Sequence, residues 1–578
     1  MKKLHIIFIG FLWMLGLTSC EDVLNRMPID KINSEEVFSD EVLVESYLTY
    51  LYQSLPLNEF LNQAANYTDE VTSAVQNTNP VTLGTVSRTS EVFSYWQYEY
   101  LRNLNSFIEK IKLSPFDETF KRQFEGEARF LRAFVYFEME RRYGGVPLVD
   151  IVLDPFQEID VKYAARSTEE EIVDFIDSEL TEVTEMLSAN PLPRGRVNKW
   201  TAHALHARSM LWAASIAKYG TVQLDGLVGV PASRSDEFYG KAADAADAII
   251  ASQHYELFNS MPDNKAENYR NIFMEEGNSE VIFEVVYDGV EVGHGWDASI
   301  APYTFGTHVT QYSPTLEFVL GYENIDGSDD QPQFGVDHLY QDGADPFINK
   351  DPRLLGSVFF QGDPWRAYTI QTYEGIDTSQ VPDVNHIVSN PSYVYKDMNS
   401  VGPDSRMYLY DEKSPNAGFL PKKYLDDSGE KITSGTSKTN WIEFRLAEMY
   451  LTKAEASFEL GEYKDAADAL NETRERAGIS LVDETSITRD KVRNERRSEL
   501  FLENHRFWDL RRWRIAESVL NHQFTGLRII YHYESGEYYF LPIECENFTR
   551  IFRQEHYYNP ITESRIDNNP HLIENPLY

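Results

Sequence analysis

Residues 446–477 read LAEMYLTKAEASFELGEYKDAADALNETRERA. Ala454 and Phe458 precede Gly461-Glu462-Tyr463, and Ala466, Leu470 and Thr473 follow. Apolar residues at three- and four-residue steps on either side of a glycine specify two amphipathic helices joined by a tight turn. Alanine where the two cross lets their backbones approach closely. Any antiparallel helix pair needs small residues at the crossing, so recurrence decides whether this is a repeat. Tyr239, Ala242, Ala246 and Ile249 echo the second half, after an Ala-rich helix at 201–217.

The pattern resembles a tetratricopeptide repeat. The fold class it predicts is mainly α, a tetratricopeptide-like superhelix of helix pairs. Toward the N-terminus the same periodicity predicts helices over about 40–55, 92–112, 118–143, 168–188 and 198–218. Asp40 and Glu41 suit a helix start, where side-chain oxygens cap orphan amides and acids favour the first turn. In the helix at 92–112, Phe93, Trp96, Tyr100, Leu104, Phe107 and Ile111 form one apolar stripe, which makes Trp96 a core residue. Gly144-Gly145 stops the 118–143 helix. Residues 62–90 are polar and read as irregular loops. Between 255 and 440 the texture changes: Val281–Tyr287 is a short β-type run, and the rest is rich in aromatics, Gly, Pro, Asp and Asn without a sustained period. A segment this long and irregular within a compact protein is a functional candidate. The organisation expected is a helical region at 35–254, a loop-rich, partly β ligand-binding region at 255–440, and a second helical region at 441–578.

The first residues are of another kind. Lys2 and Lys3 precede an apolar run from Ile6 to Leu17, which ends in Leu17-Thr18-Ser19-Cys20. This is a secretory signal, too short to span a bilayer comfortably. Small residues before Cys20 make a lipobox, so residues 1–19 are expected to be removed, Cys20 acylated by palmitate-type chains, and residues 20–34 to form a lipid-proximal linker. The formal net charge is -39. Loss of residues 1–19 removes two lysines and no acid, leaving the mature chain more negative still. Such a surface repels phosphate backbones and argues against nucleic acid as a ligand. The chain has 2 cysteines, and with Cys20 acylated Cys545 has no partner for a disulfide; its apolar flanks read as core.

The sequence has no His-Glu-x-x-His, Gly-x-Ser-x-Gly, phosphate-binding Gly-Lys-Ser/Thr or Cys-x-x-Cys motif. No catalytic residue, metal or cofactor is therefore expected. Asp326-Gly327-Ser328-Asp329-Asp330 lacks the spacing and closing Glu of an EF-hand and reads as a solvated turn. The charged stretch Arg489–Arg514 interleaves acids and bases at three- and four-residue spacing, which predicts intrachain ion pairs. The loop aromatics are the ligand candidates: Trp296, Tyr303, Phe305 and Tyr312 in one stretch, Trp365 with Tyr368 in another, and Tyr67 with Asn66 and Asp69 in the N-terminal loops. A flat aromatic covers the C–H face of a sugar ring, while Asn, Asp and Arg bond its hydroxyls. For any single one of these aromatics, a loop anchor packed into the body is the commoner role.

Taken in order, several short segments resemble the SusD/RagB family of outer-membrane nutrient-binding lipoproteins of Bacteroidetes-type bacteria. They are Cys20-Glu21-Asp22, Glu127–Ala133, Arg142–Pro147, Gly195-Arg196-Val197, Ile282-Phe283-Glu284, Asp351-Pro352-Arg353, Arg445–Leu451, Glu495-Arg496-Arg497, Trp508–Trp513 and Asn575-Pro576. The resemblance implies a body of four tetratricopeptide-like pairs carrying an irregular ligand-binding region. It also implies a partner, a SusC-like TonB-dependent outer-membrane barrel over which the protein sits as a lid. It makes the protein a non-enzymatic lipoprotein, lipid-anchored at the outer membrane and facing the cell exterior. Most such proteins are associated with glycans and the RagB branch with peptides; a surface glycoside hydrolase is a remote third reading. The segments quoted are scaffold and do not name the ligand.

Overall fold

The computed structural model describes residues 34–57, 64–73, 79–153, 163–190, 192–305, 310–409, 417–429 and 432–578. The signal segment, Cys20 and the linker fall outside the described residues.

Eight helices form a continuous array in which each packs on the next: α1 (Glu41–Tyr52), α2 (Tyr98–Leu113), α3 (Glu118–Tyr143), α4 (Glu169–Met186), α5 (Lys199–Tyr219), α6 (Ser235–Ser252), α7 (Leu446–Leu460) and α8 (Tyr463–Ala477). The mainly helical, paired architecture is the one read from 446–477. The starts are set by side chains that satisfy orphan amides: Asp40 on Val42 and Leu43, Asp117 on Thr119 and Phe120, Asn198 on Trp200 and Thr201, and a Thr168–Glu171 capping box. Gly461 ends α7 in the left-handed conformation at φ 85°, the role its place in the repeat demands. Gly145, after α3, has no room for a side chain: a Cβ there would lie 2.0 Å from the Ser167 carbonyl oxygen.

The array is interrupted between α6 and α7, yet these two helices pack directly on one another. The excursion between them is closed at its base by an antiparallel ladder, Val281–Val285 against Trp441–Arg445. It has its own apolar core, separate from that of the array. Two further helices, α9 (Arg489–Glu499) and α10 (His505–Arg512), follow the array. No helix among the described residues is long and apolar enough to cross a membrane.

Two sequence expectations need correction. Residues 92–97 are not helical. The Tyr143 hydroxyl accepts the Tyr95 amide at 3.0 Å, Phe93 takes a positive φ of 53°, and α2 begins only after Gln97. Trp96 therefore lies outside the apolar stripe, half-buried beside Tyr143 and beneath the Arg565 guanidinium. The C-terminal region is not all helical. Thr525–His532 and Glu537–Glu544 form a hairpin whose first strand runs parallel to Ile376–Asp377, which in turn pairs with Ile387–Val388. The intrachain ion pairs expected in the stretch Arg489–Arg514 are present, and most of them are long-range and buried.

Those pairs explain most of the family-like segments. Glu499 is fully buried, with Arg445 Nη1 at 2.6 Å, Arg353 Nη1 at 2.8 Å and Arg476 also on its carboxylate. Glu495 joins Arg353 at 2.5 Å and Arg474 at 2.9 Å. Glu503 binds Arg445 and Lys423, each at 2.7 Å. Glu280 accepts from Arg445 and Arg476, each at 2.8 Å, and Asp351 holds Arg353 at 2.6 Å. Elsewhere Arg196 pairs with Glu127 at 2.7 Å, and Arg166 reaches Asn575 at 2.9 Å. Burial opposes ionisation of Glu499, but the guanidiniums of Arg476, Arg445 and Arg353 outweigh it and hold the carboxyl far below the ordinary 4.5.

Removing one partner of a buried ion pair leaves an uncompensated charge, which costs about 3–5 kcal/mol. Glu499→Gln is isosteric and should lower stability in urea denaturation by about that amount. With a folded-state pKa below its unfolded 4.5, Glu499 contributes fully above that pH, and the contribution is lost as pH falls below it. The variant should therefore show a shallower acid-induced loss than the unaltered protein. Equal stability and equal acid slopes in the two would contradict this role.

Candidate ligand-binding site

Of the loop residues proposed from sequence, Tyr303, Phe305 and Trp365 come together. The Phe305 ring meets Trp365 edge-on at 4.7 Å and Tyr368 at 5.2 Å, and Tyr303 lies 6.0 Å from Tyr408. Tyr303, Phe305, Tyr368 and Tyr408 are half-exposed, whereas Trp365 is buried beneath them. Asp404 ties the two sides of the cluster. Its carboxylate accepts from Thr304 Oγ1 at 2.7 Å, the Thr304 amide at 3.2 Å and the Gln371 amide at 3.0 Å. Burial raises its pKa above the ordinary value, and the amide and hydroxyl donors oppose that rise. Thr304 Oγ1 in turn accepts from the Tyr368 hydroxyl at 2.9 Å.

Trp365 and Tyr368 face each other across a two-residue hairpin turn, Arg366-Ala367. Such turns favour Gly or Asn because the first turn residue has positive φ. Here it is Arg366, at φ 56°. Its guanidinium lies 4.5 Å from the Trp365 ring and 5.6 Å from Phe305, and Nη2 donates to the Asp426 carbonyl at 2.8 Å. Arg366 Nε and Nη1 and the Trp365 indole N–H are buried and have no hydrogen-bond acceptor among the described residues. Aromatic rings exposed above polar side chains are the arrangement that ligand sites use. Arg366, Asp404 and Tyr408 went unnoticed in the sequence. The Arg after Trp365 was visible; its positive φ and stacking were not.

The other sequence candidates lie elsewhere. Trp296 is 0% exposed, stacked on Tyr312 at 5.4 Å, with its indole N–H donating to the Lys423 carbonyl. It has no free face for a sugar and is an anchor of the excursion's core, as is the buried Tyr312. Thus the expected contrast between an exposed Trp296 and a core Trp96 is reversed in burial. Asp69 is buried and paired with Arg506 at 2.8 Å and Arg497 at 3.2 Å. Burial works against its charge, yet these guanidiniums keep its pKa well below the usual range. Tyr67 packs edge-on against Phe93 at 4.9 Å and Phe507 at 6.4 Å, and is remote in contact terms from the Tyr303–Tyr408 cluster. Cys545 is buried, and burial raises its thiol pKa, as suits a core residue. Asp326 accepts the Ser328 amide at 2.9 Å within its turn.

Comparison with known proteins places the fold. Residues 279–578 match the family model described as the SusD family, and residues 24–211 match one described as starch-binding associating with outer membrane. The first match covers more than half of the chain, and the protein belongs to the SusD family. A SusD-like protein of Formosa agariphila is 24% identical over 550 residues, covering 90% of this chain and 94% of that one. The starch-binding protein SusD of Bacteroides thetaiotaomicron is 25% identical over 521 residues, covering 85% and 79% respectively. Among solved structures, a SusD-like protein of Bacteroides fragilis superposes with a TM-score of 0.73 at 26% identity, covering 96% of this chain and 100% of the other.

Tyr368→Ala and Trp296→Ala should separate site from core. Loss of an aromatic stacking partner costs on the order of 1–3 kcal/mol by analogy with other stacking platforms, roughly tenfold to a hundredfold in affinity. Tyr368→Ala should weaken glycan binding by that factor with little change in melting temperature. Trp296→Ala should lose about 3–5 kcal/mol of folding stability. Titration calorimetry and thermal melts decide it; the opposite pattern would move the site to Trp296.

Proposed function

We propose that this protein is a non-enzymatic, glycan-binding lipoprotein that captures oligosaccharide on the Tyr303, Phe305, Tyr368 and Tyr408 surface. It delivers the glycan to a SusC-like TonB-dependent barrel from the outer face of the outer membrane, tethered by acyl chains on Cys20. The observation that carries the reading is the cluster of half-exposed rings around unmet Trp365 and Arg366 donors. In this family a starch-binding protein is among the relatives, and one solved SusD-like neighbour is described as carbohydrate-binding. The rings suit the C–H faces of a sugar and the donors suit its oxygens.

Among the described residues, the carboxylates nearby support binding over hydrolysis. Asp404 spends its oxygens on Thr304 and Gln371. Asp297, its pKa pushed up to about 6 by burial, accepts the Asp426 amide at 3.1 Å, an anchor for the turn beneath Arg366. A glycosidase needs two carboxyls flanking a bound sugar, one of them free to donate a proton.

Affinity electrophoresis through gels containing starch, laminarin, xylan or galactomannan, with titration of a tripeptide-to-decapeptide mixture alongside, tests the reading. Retardation by at least one polysaccharide, without new reducing ends and without peptide binding, is expected. Peptide binding with no polysaccharide retardation would replace the glycan reading by a peptide-uptake role of the RagB type.

A further inference from the structure

A second hairpin repeats the device seen at Arg366. Val394–Tyr395 pairs with Met398–Asn399 across the two-residue turn Lys396-Asp397. Its first turn residue is again a cation at positive φ, Lys396 at 52°. It too lies over aromatic faces: Nζ is 4.0 Å from the Tyr533 ring and 5.3 Å from Tyr395. Non-glycine residues are uncommon in this conformation and gather at functional sites, where the surroundings hold them. Both hairpins thus carry a cation at the first turn position, laid over aromatic faces.

The two hairpins are joined by a line of tyrosines. Tyr368 ends the first. The buried Tyr373, five residues on, donates through its hydroxyl at 2.9 Å to the Asn399 carbonyl in the second hairpin, and Asp404, which ties the first cluster, donates its amide to the Gln371 carbonyl at 2.9 Å. Tyr531 lies 5.2 Å from Tyr538 and 6.5 Å from Tyr533, and Tyr533 meets Tyr395 edge-on at 5.0 Å. Tyr531, Tyr533, Tyr538 and Tyr395 are half-exposed, and the adjoining Tyr393 and Val394 are 46% and 52% exposed. This surface continues the first site, so one occupant covering both is the economical solution for an exposed apolar patch.

We propose that Tyr395, Lys396 and Tyr533 form a second glycan subsite, and that the ligand is a neutral, linear polysaccharide long enough to engage both hairpins at once. The proposal rests on the glycan reading of the first hairpin. Tyrosine faces cover sugar C–H surfaces, and the Lys396 ammonium, whose acid neighbour Glu534 lies 3.5 Å away, has donors left for hydroxyls. The chain's large negative charge disfavours a polyanion such as a polyuronate. Two linked contacts raise apparent affinity about 10²–10⁴-fold over one when the chain spans them.

The test takes whichever of starch, laminarin, xylan and galactomannan retards the unaltered protein. Its two-unit and eight-unit oligomers are titrated calorimetrically against the unaltered protein, Tyr533→Ala and Lys396→Gly, the last because glycine accepts the positive φ. The eight-unit oligomer should bind the unaltered protein at least tenfold more tightly than the two-unit one. Tyr533→Ala should erase most of that advantage and Lys396→Gly part of it, with melting temperatures unchanged, which reports that the variants fold. Equal affinity for both lengths, or an advantage that survives in Tyr533→Ala, would overturn the second subsite while leaving the first in place. Retardation by none of the polysaccharides would instead remove the glycan reading itself.

Discussion

The buried carboxylate of Glu499 is the point on which the rest of the architecture depends. Around it, Arg445 comes from the start of α7, Arg476 from the end of α8 and Arg353 from the excursion. Glu495 and Glu503 extend the same lattice to Arg474 and Lys423. Burying so many charges is expensive, and only near-complete mutual satisfaction makes it tolerable. A lattice of this kind therefore accepts one relative placement of helix array, α9 and excursion. Apolar packing alone would be less selective, since hydrophobic contacts are not directional.

That selectivity matters because the aromatic loops have little regular structure of their own. The strands that carry Trp365, Tyr368 and Tyr395 are each two residues long. They are held by what lies beneath them: the ladder Val281–Val285 with Trp441–Arg445, the core containing Trp296 and Trp365, and the C-terminal hairpin that joins Ile376–Asp377. Binding sites work best when flexible-looking loops sit on a rigid support. Here the same arginines and glutamates that recur as family-like segments supply the support, and the loops remain free to differ in what they bind.

The helical array was legible because its signals are local. Ala454, Gly461 and Ala466 announce a helix pair within one window, and the caps at Asp40, Asp117 and Asn198 lie next to the helices they start. The hairpin at 525–544 carried a fair signal in its β-branched and aromatic runs around Ser535-Gly536, but its partner strand at 376–377 is too short to register. The site was only partly legible. Aromatic loops announced Tyr303, Phe305 and Trp365, yet nothing in a sequence separates an aromatic facing solvent from one facing a core made of other loops. Trp296 shows this well, since its neighbours Tyr312 and Lys423 come from distant stretches. Trp96 failed for the converse reason: the helical period continued through it, and one hydrogen bond from the Tyr95 amide to Tyr143 held the segment out of the helix. Ion pairing in Arg489–Arg514 was legible but its burial was not, because spacing alone reports which residues share a helix face and says nothing of what that face meets.

Amide hydrogen exchange, followed with and without a saturating polysaccharide ligand, tests the account most directly. If a rigid, charge-locked frame presents the aromatic loops, the slowest exchange in the protein should include α9 and the flanking parts of α7 and α8 in both states. Added ligand should protect residues 303–305, 364–369 and 404–408 and leave the frame unchanged. Rapid exchange in α9, or ligand protection that spares those loops, would contradict it.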